Sequence, residues 1–199
     1  MQLRLSAKAL ALVISLTMSL PVAAQQHQAA TNTPYAGQQD RDIAALSADD
    51  IEDISAGRGW GLALPAELNG VPGPTHLLEL SEDLALSDDQ INALADLREA
   101  MRSQAINLGE ALIEAERALN DAFASSVPDE QELERLVRAA GQARAALRLA
   151  HLKAHLVTPQ IVSTEQIGNY NRLRGYTDDA CSSVPEGHDE AMWRRHNGC

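Results

Sequence analysis

Aromatic residues are scarce in this chain, making up 3% of its 199 residues. No segment shows the alternation of apolar and polar residues, rich in β-branched side chains, that is typical of a β-strand. A core with so few large rings has to be built from leucine and alanine, which suits close contact between helices. The sequence therefore predicts an all-α protein.

Basic residues are also few: 16 lysines and arginines stand against 28 aspartates and glutamates, giving a formal net charge of −12. Binding of nucleic acid needs a basic surface, so we expect no nucleic-acid partner. An acidic surface attracts cations instead. No serine–histidine–acid grouping and no pair of groups with acid–base spacing stands out, and we predict that the protein is not an enzyme.

The first 24 residues have the features of a secretory signal peptide. Arg4 and Lys8 form a positive start, and the apolar run from Ala9 to Leu20 is short for a membrane span. Small residues precede Gln25, so we predict cleavage before Gln25 and export into the cell envelope. The alternative is an uncleaved membrane anchor.

Beyond the predicted signal peptide the chain divides into three parts. Residues 25–45 are polar and lack an apolar period, which predicts a flexible leader. Residues 46–176 carry helical periodicity, and residues 177–199 form a tail with the only two cysteines, Cys181 and Cys199. In an oxidising compartment this pair is expected to form a disulfide. The alternative is a soft-metal site in the tail, where the residues between the cysteines include His188, Met192 and His196.

Short elements are predicted in the first part of the helical region. A helix begins after Ser47 and ends where a loop rich in glycine and proline starts, over residues 57–74. The apolar stretch of this loop, residues 60–65, either binds a partner or folds back over the helices. Thr75 is then predicted to cap a second short helix over residues 76–84.

Two capping boxes frame a pair of long helices. Residues 87–90 (Ser-Asp-Asp-Gln) open a helix predicted to run to about Ser125, and a third helix covers residues 129–158. Residues 163–166 (Ser-Thr-Glu-Gln) open a last helix that stops at Gly175. This order predicts a four-helix hairpin with one long central helix. Because a hairpin alone exposes one side, we also predict a homodimer.

The two boxes, Leu86-Ser-Asp-Asp-Gln90 and Val162-Ser-Thr-Glu-Gln166, are near-copies of one motif. At these residues the chain resembles the LTxxQ-motif family of periplasmic stress proteins, over roughly residues 75–176. That family includes Spy/CpxP-like chaperones and CnrX-like heavy-metal sensors. Serine replaces threonine in both motifs, and valine replaces the second leucine.

The resemblance implies a small all-α protein with a long central hairpin, forming an intertwined dimer in the periplasm and having no enzyme activity. The chaperone branch of the family holds unfolded clients. The sensor branch binds a transition metal and regulates a membrane partner.

Two histidines four residues apart, His151 and His155, share one face of the third helix. Two imidazoles at this spacing can bind one borderline metal ion, and the alternative is that both are ordinary helix histidines. The resemblance places this pair where the sensor branch has a histidine and a methionine. It also implies further ligands from the first and second helices, for which His76 and Glu99 are the candidates. Histidine in place of methionine favours zinc, nickel, cobalt or copper.

Two hypotheses for function follow. The first is a periplasmic metal-binding protein of envelope stress or metal resistance, a sensor or buffer with His151, His155, His76 and Glu99 as ligands and a membrane-bound regulator as partner. The second is an ATP-independent holdase chaperone whose partners are unfolded envelope proteins.

Overall fold

The computed structural model describes residues 34–177, Gly187 and 189–196, and for His196 the backbone alone. The chain divides into two compact units, residues 1–36 and 37–199. The predicted signal peptide, residues 25–33 of the predicted leader, Cys181, His188 and Cys199 lie outside the described residues. Within the described residues the chain is mostly helical and has no strand, which confirms the all-α prediction.

Seven α-helices occur in the described residues: α1 Ala48–Ser55, α2 Leu64–Glu67, α3 Pro74–Glu79, α4 Asp88–Ser125, α5 Glu130–Val157, α6 Thr164–Leu173 and α7 Glu190–His196. A 3₁₀ turn, Thr158–Gln160, joins α5 to the segment before α6. At 38 residues α4 is the longest helix. The helix α4 packs against α5 more extensively than any other two elements do among the described residues.

The predicted helix starts at Ser47, Ser87 and Ser163 are confirmed. Each of these serine side chains accepts a hydrogen bond from the backbone amide of the residue three positions later. The side chain of that later residue in turn accepts a hydrogen bond from the backbone amide of the serine. At the start of α5 the Asp129 carboxylate accepts a hydrogen bond from the backbone amide of Glu132. The glycines that follow α1 and α6, Gly57 and Gly175, have φ angles of 67° and 69°. That left-handed conformation ends a helix at little cost only for glycine.

Two buried clusters form the core. The first joins the segment before α1 and the loop after it to α4 and α5, and consists of Ile43, Leu46, Ile54, Leu62, Ala105, Leu112, Ile113 and Leu147. The second joins α3, the start of α4 and α6, and consists of Leu77, Leu84, Leu94, Val162 and Tyr170. The second cluster includes one aromatic ring, so the core is not purely aliphatic.

Two predicted boundaries were wrong. The second short helix starts at Pro74 and ends at Glu79, and no side chain caps it, because proline with its fixed φ angle takes the first helical position. Ile43 is fully buried, so packing begins inside the stretch predicted to be a flexible leader.

No helix in the described part of the chain is long and apolar enough to cross a membrane.

Candidate functional site

His155 is held in a fixed orientation at the end of α5. Its Nδ1 lies 2.7 Å from the carbonyl oxygen of Val71. A carbonyl oxygen only accepts, so Nδ1 carries the hydrogen and donates it, and Nε2 keeps its lone pair. The ring also packs on Gly73, where an added Cβ would lie 2.7 Å from Nε2. A side chain at residue 73 would therefore displace the imidazole.

Three successive backbone carbonyls of the loop after α2 accept hydrogen bonds from side chains at the end of α5 and in α6. Val71 accepts from His155, the Pro72 carbonyl accepts from the Thr158 hydroxyl at 2.7 Å, and the Gly70 carbonyl accepts from the Asn171 amide at 3.5 Å. These bonds satisfy backbone oxygens that would otherwise be buried without partners. The loop therefore has a defined position beside His155.

Glu67 is a buried carboxylate next to this loop, only 5% exposed. The Tyr170 hydroxyl and the Gly73 backbone amide donate to it, and His155 Nδ1 lies 4.0 Å away. Burial, reinforced by the bond to Glu67, raises the pKa of Tyr170 far above its usual range. This pair was not predicted from the sequence, because the two residues stand 103 positions apart and neither belongs to a motif.

His151 lies one helical turn before His155 and is 2% exposed. Its Nε2 is buried and has no hydrogen-bond partner among the described residues. Burial, and secondarily the neighbouring His155, lower the pKa of His151, so its imidazole is neutral at neutral pH. A buried polar nitrogen without a protein partner is uncommon in folded proteins.

His76 and Glu99 lie on other elements. His76 Nδ1 is 3.0 Å from Glu79 Oε2 within α3, and Glu99 is exposed on α4. Together with His155 they line one cavity of about 700 Å³, which His151 does not line. Within the described residues, no three histidine, cysteine or acidic side chains are placed to share one ion. The structure thus brings three of the four predicted ligands around one cavity, without forming a complete ligand set.

The loop of residues 60–65 folds back over the helices, which confirms one of its two alternative interpretations. Trp60 packs against the first core cluster, and its indole Nε1 donates to Asp50 at 2.7 Å. The guanidinium of Arg144 lies 4.5 Å from the centre of the indole ring, a distance typical of a cation–π contact. These contacts fix the indole as one wall of the cavity.

The two capping boxes are bonded to each other. Gln90 and Gln166 exchange hydrogen bonds between their side-chain amides, and each amide also donates to a backbone carbonyl near the other box, Ile161 or Leu84. The repeated motif was visible in the sequence, but this contact between its two copies was not.

No protein-family model, curated protein or solved structure matches this chain. The likeness to the LTxxQ family therefore rests on the two motifs and on the order of the helices.

Proposed function

We propose that the protein binds a divalent transition metal, Zn²⁺, Ni²⁺, Co²⁺ or Cu²⁺, through His151 and His155, as a non-catalytic protein of envelope stress or metal resistance. The observation that carries the proposal is the buried Nε2 of His151, which has no partner among the described residues and stands one turn from a second imidazole. A metal ion would satisfy that nitrogen.

The second imidazole has the arrangement that metal-binding histidines commonly have. Such a histidine donates one ring N–H to a backbone carbonyl or carboxylate and binds the ion with the other nitrogen. His155 donates Nδ1 to the carbonyl of Val71 at 2.7 Å, which leaves Nε2 as the ligand atom. The lowered pKa of His151 keeps its ring neutral, and only the neutral form binds a metal ion.

Two imidazoles supply half of a tetrahedral ligand set. Water completes it, with His76 and Glu99 as weaker contributors, because both line the cavity beside His155. His76 would first have to release Glu79, to which its Nδ1 is bonded at 3.0 Å. We further propose that the chain is an LTxxQ-type periplasmic homodimer whose long helices form a hairpin, with a membrane-bound regulator as partner in a sensing role.

Isothermal titration of the full chain with each of the four ions tests the metal proposal. We expect dissociation constants below about 1 μM for at least one ion. His151→Leu should weaken binding by more than tenfold, whereas Cys181→Ser with Cys199→Ser, which removes the tail thiols, should leave it unchanged. Unchanged affinity in His151→Leu, or binding lost with the thiols, would refute the assignment.

A second candidate function, the holdase, is favoured by apolar side chains left exposed on the long helices. Leu149 and Leu156 are exposed seven residues apart on one face of α5, and Phe123 and Val127 are exposed where α4 ends. Exposed apolar side chains that recur on one face are typical of surfaces that bind other proteins.

Light scattering of a thermally aggregating client tests the holdase candidate. The chain at equimolar ratio, without metal, should suppress aggregation, and the double variant Leu149→Ser with Leu156→Ser should lose most of that effect. Ala145→Ser, also exposed on α5, serves as the matched control. Identical aggregation with and without the protein would eliminate this candidate.

A further inference from the structure

The cavity beside His155 has a volume of about 700 Å³. That is within the range of small-molecule sites, roughly 300–1,000 Å³, and far larger than a single ion needs. Its walls come from the glycine-rich loop after α1, from α2, from the first turn of α3, from the third and fourth turns of α4 and from His155 near the end of α5. A small organic ligand would therefore fit in it.

Part of the cavity wall is apolar and rigid. Trp60, Ala63, Leu64 and Met101 line it. Trp60 has a φ angle of 42°, a left-handed conformation that costs free energy for a residue other than glycine. The bond from its indole to Asp50 at 2.7 Å compensates for that strain and fixes the ring. A wall that is already in place reduces the ordering cost of binding an apolar group.

The charged part of the wall is dominated by arginine. Arg98 makes no hydrogen bond or ion pair with any described residue, and Arg102 makes one bond, from Nε to the carbonyl of Ala56 at 3.1 Å. Arg58 also lines the cavity, but Glu52 and Asp53 neutralise it at 2.7 and 2.5 Å.

Two carboxylates line the same cavity. Glu67 is occupied by Tyr170 and by the Gly73 amide. Glu99 is the only other acidic residue among the lining side chains. The lining therefore includes the guanidinium groups of Arg98 and Arg102, of which Arg102 uses only Nε, and one carboxylate other than Glu67, that of Glu99. This basic excess stands in a chain whose net charge is −12.

We propose that this cavity binds a small organic anion with an apolar body, of the class of medium-chain carboxylates. The hydrocarbon lies against Trp60, Leu64 and Met101, and the carboxylate accepts hydrogen bonds from Arg98 and Arg102, whose planar guanidinium groups match it. This inference goes beyond the proposed metal function. The residue that carries the metal proposal, His151, does not line this cavity.

Fluorescence of Trp60 gives a direct readout. The chain has two tryptophans, and Trp193→Phe leaves Trp60 as the only one. Titration of this variant with decanoate, below the micelle concentration, should shift or quench the emission with a saturable dependence. Decan-1-ol, which has the same chain length without charge, should bind at least about tenfold more weakly, because it lacks the charge-assisted hydrogen bonds.

Three variants in the Trp193→Phe background identify the contacts. Arg98→Gln with Arg102→Gln should weaken decanoate binding about tenfold or more. Arg117→Gln, an exposed arginine of α4 that does not line the cavity, is the matched control and should have no effect. Glu99→Gln removes the opposing carboxylate and should tighten decanoate binding, whereas it cannot strengthen binding of a cation.

The proposal is overturned if decanoate leaves the Trp60 emission unchanged, if decan-1-ol binds equally well, or if the double arginine variant binds like the control. If the Trp60 emission changes with protein concentration and not with decanoate, the cavity is a contact surface for a second copy of the chain. That result would also overturn the proposal. His151→Leu should not alter decanoate binding, so loss of metal affinity in that variant and loss of decanoate affinity in the arginine variant are separate results.

Discussion

The side-chain amides of Gln90 and Gln166 donate to each other, at 2.9 and 3.1 Å. Each Oε1 also accepts from the backbone amide of its own capping serine, at 3.0 Å for Ser87 and 2.9 Å for Ser163. The starts of α4 and α6 are therefore joined in one hydrogen-bonded unit. A glutamate can form a capping box but cannot donate, which explains why glutamine stands at both positions.

The effects of substituting Gln90 and Gln166 on the free energy of unfolding should be strongly coupled to each other. We expect Gln90→Ala and Gln166→Ala each to lower the free energy of unfolding by about 1–3 kcal/mol, because each leaves part-buried polar groups without partners. The double variant should lose clearly less than the sum, since the mutual bonds can be lost only once. Urea denaturation of the wild type, the two single variants and the double variant measures this coupling, and exposed Gln160→Ala is the control. Additive losses of stability would contradict the hydrogen-bonded unit.

Substitution of two helix glycines by alanine should change the free energy of unfolding in opposite directions. A Cβ at Gly109 would lie 2.6 Å from the backbone oxygen of Ile54, whereas a Cβ at Gly141 would meet nothing within 4 Å. Gly109→Ala should therefore push α1 away from α4 and destabilise by about 1–3 kcal/mol. Gly141→Ala should stabilise by about 0.5–1 kcal/mol through helix propensity. Thermal unfolding of both variants measures these changes in stability. Equal changes in Gly109→Ala and Gly141→Ala would contradict the close packing of α1 on α4.

Loss of the Tyr170 hydroxyl should leave the buried carboxylate of Glu67 without its main donor. We expect Tyr170→Phe to cost about 1–3 kcal/mol at pH 7. The pKa of Tyr170 is raised by burial and by Glu67, so the folded state holds a proton that the unfolded tyrosine loses above its ordinary pKa. The stabilisation is thus complete below about pH 10 and falls as pH rises further. The gap between Tyr170→Phe and wild type should narrow above pH 10, and Tyr35→Phe, at an exposed site, should show no such change.

Acid should destabilise the protein through His151. Burial lowers its pKa, so the unfolded state binds a proton more readily than the folded state does. The stability contribution is complete above about pH 6.5 and is lost as pH falls below it. His151→Leu should flatten the pH dependence of the free energy of unfolding between pH 7 and 5, and an unchanged pH dependence in this variant would contradict the account. At pH 7, His151→Leu should be close to wild type in stability, because the unpartnered nitrogen is removed.

The helices could be predicted from the sequence because their signals are local. Capping serines, the aspartate before α5 and the glycine after α6 mark the ends within one or two residues of the observed bounds. The start of α3 was mispredicted because a threonine next to Pro74 looks like a cap, whereas the proline already occupies the first helical position. Burial of Ile43 was missed because one isoleucine in a polar stretch gives no periodic signal.

The candidate site could be predicted only in part. The histidine pair on α5 was visible from its spacing, but the unpartnered nitrogen of His151 and the bond from His155 to Val71 depend on the loop after α2. Contacts between such distant positions leave no local pattern in a single sequence. The same reason explains why the Glu67–Tyr170 bond and the arginines of the cavity wall emerge only from the fold.

The most direct test of the metal proposal is a ¹⁵N NMR spectrum of the histidine side chains during addition of Zn²⁺. The chain has six histidines, so each imidazole can be assigned by single substitutions. We predict that the Nε2 resonances of His151 and His155 both shift and saturate at one equivalent of metal, while Nδ1 of His155 keeps its proton. If the Nε2 resonances of His151 and His155 stay unchanged at saturating Zn²⁺, this protein does not bind metal at the pair.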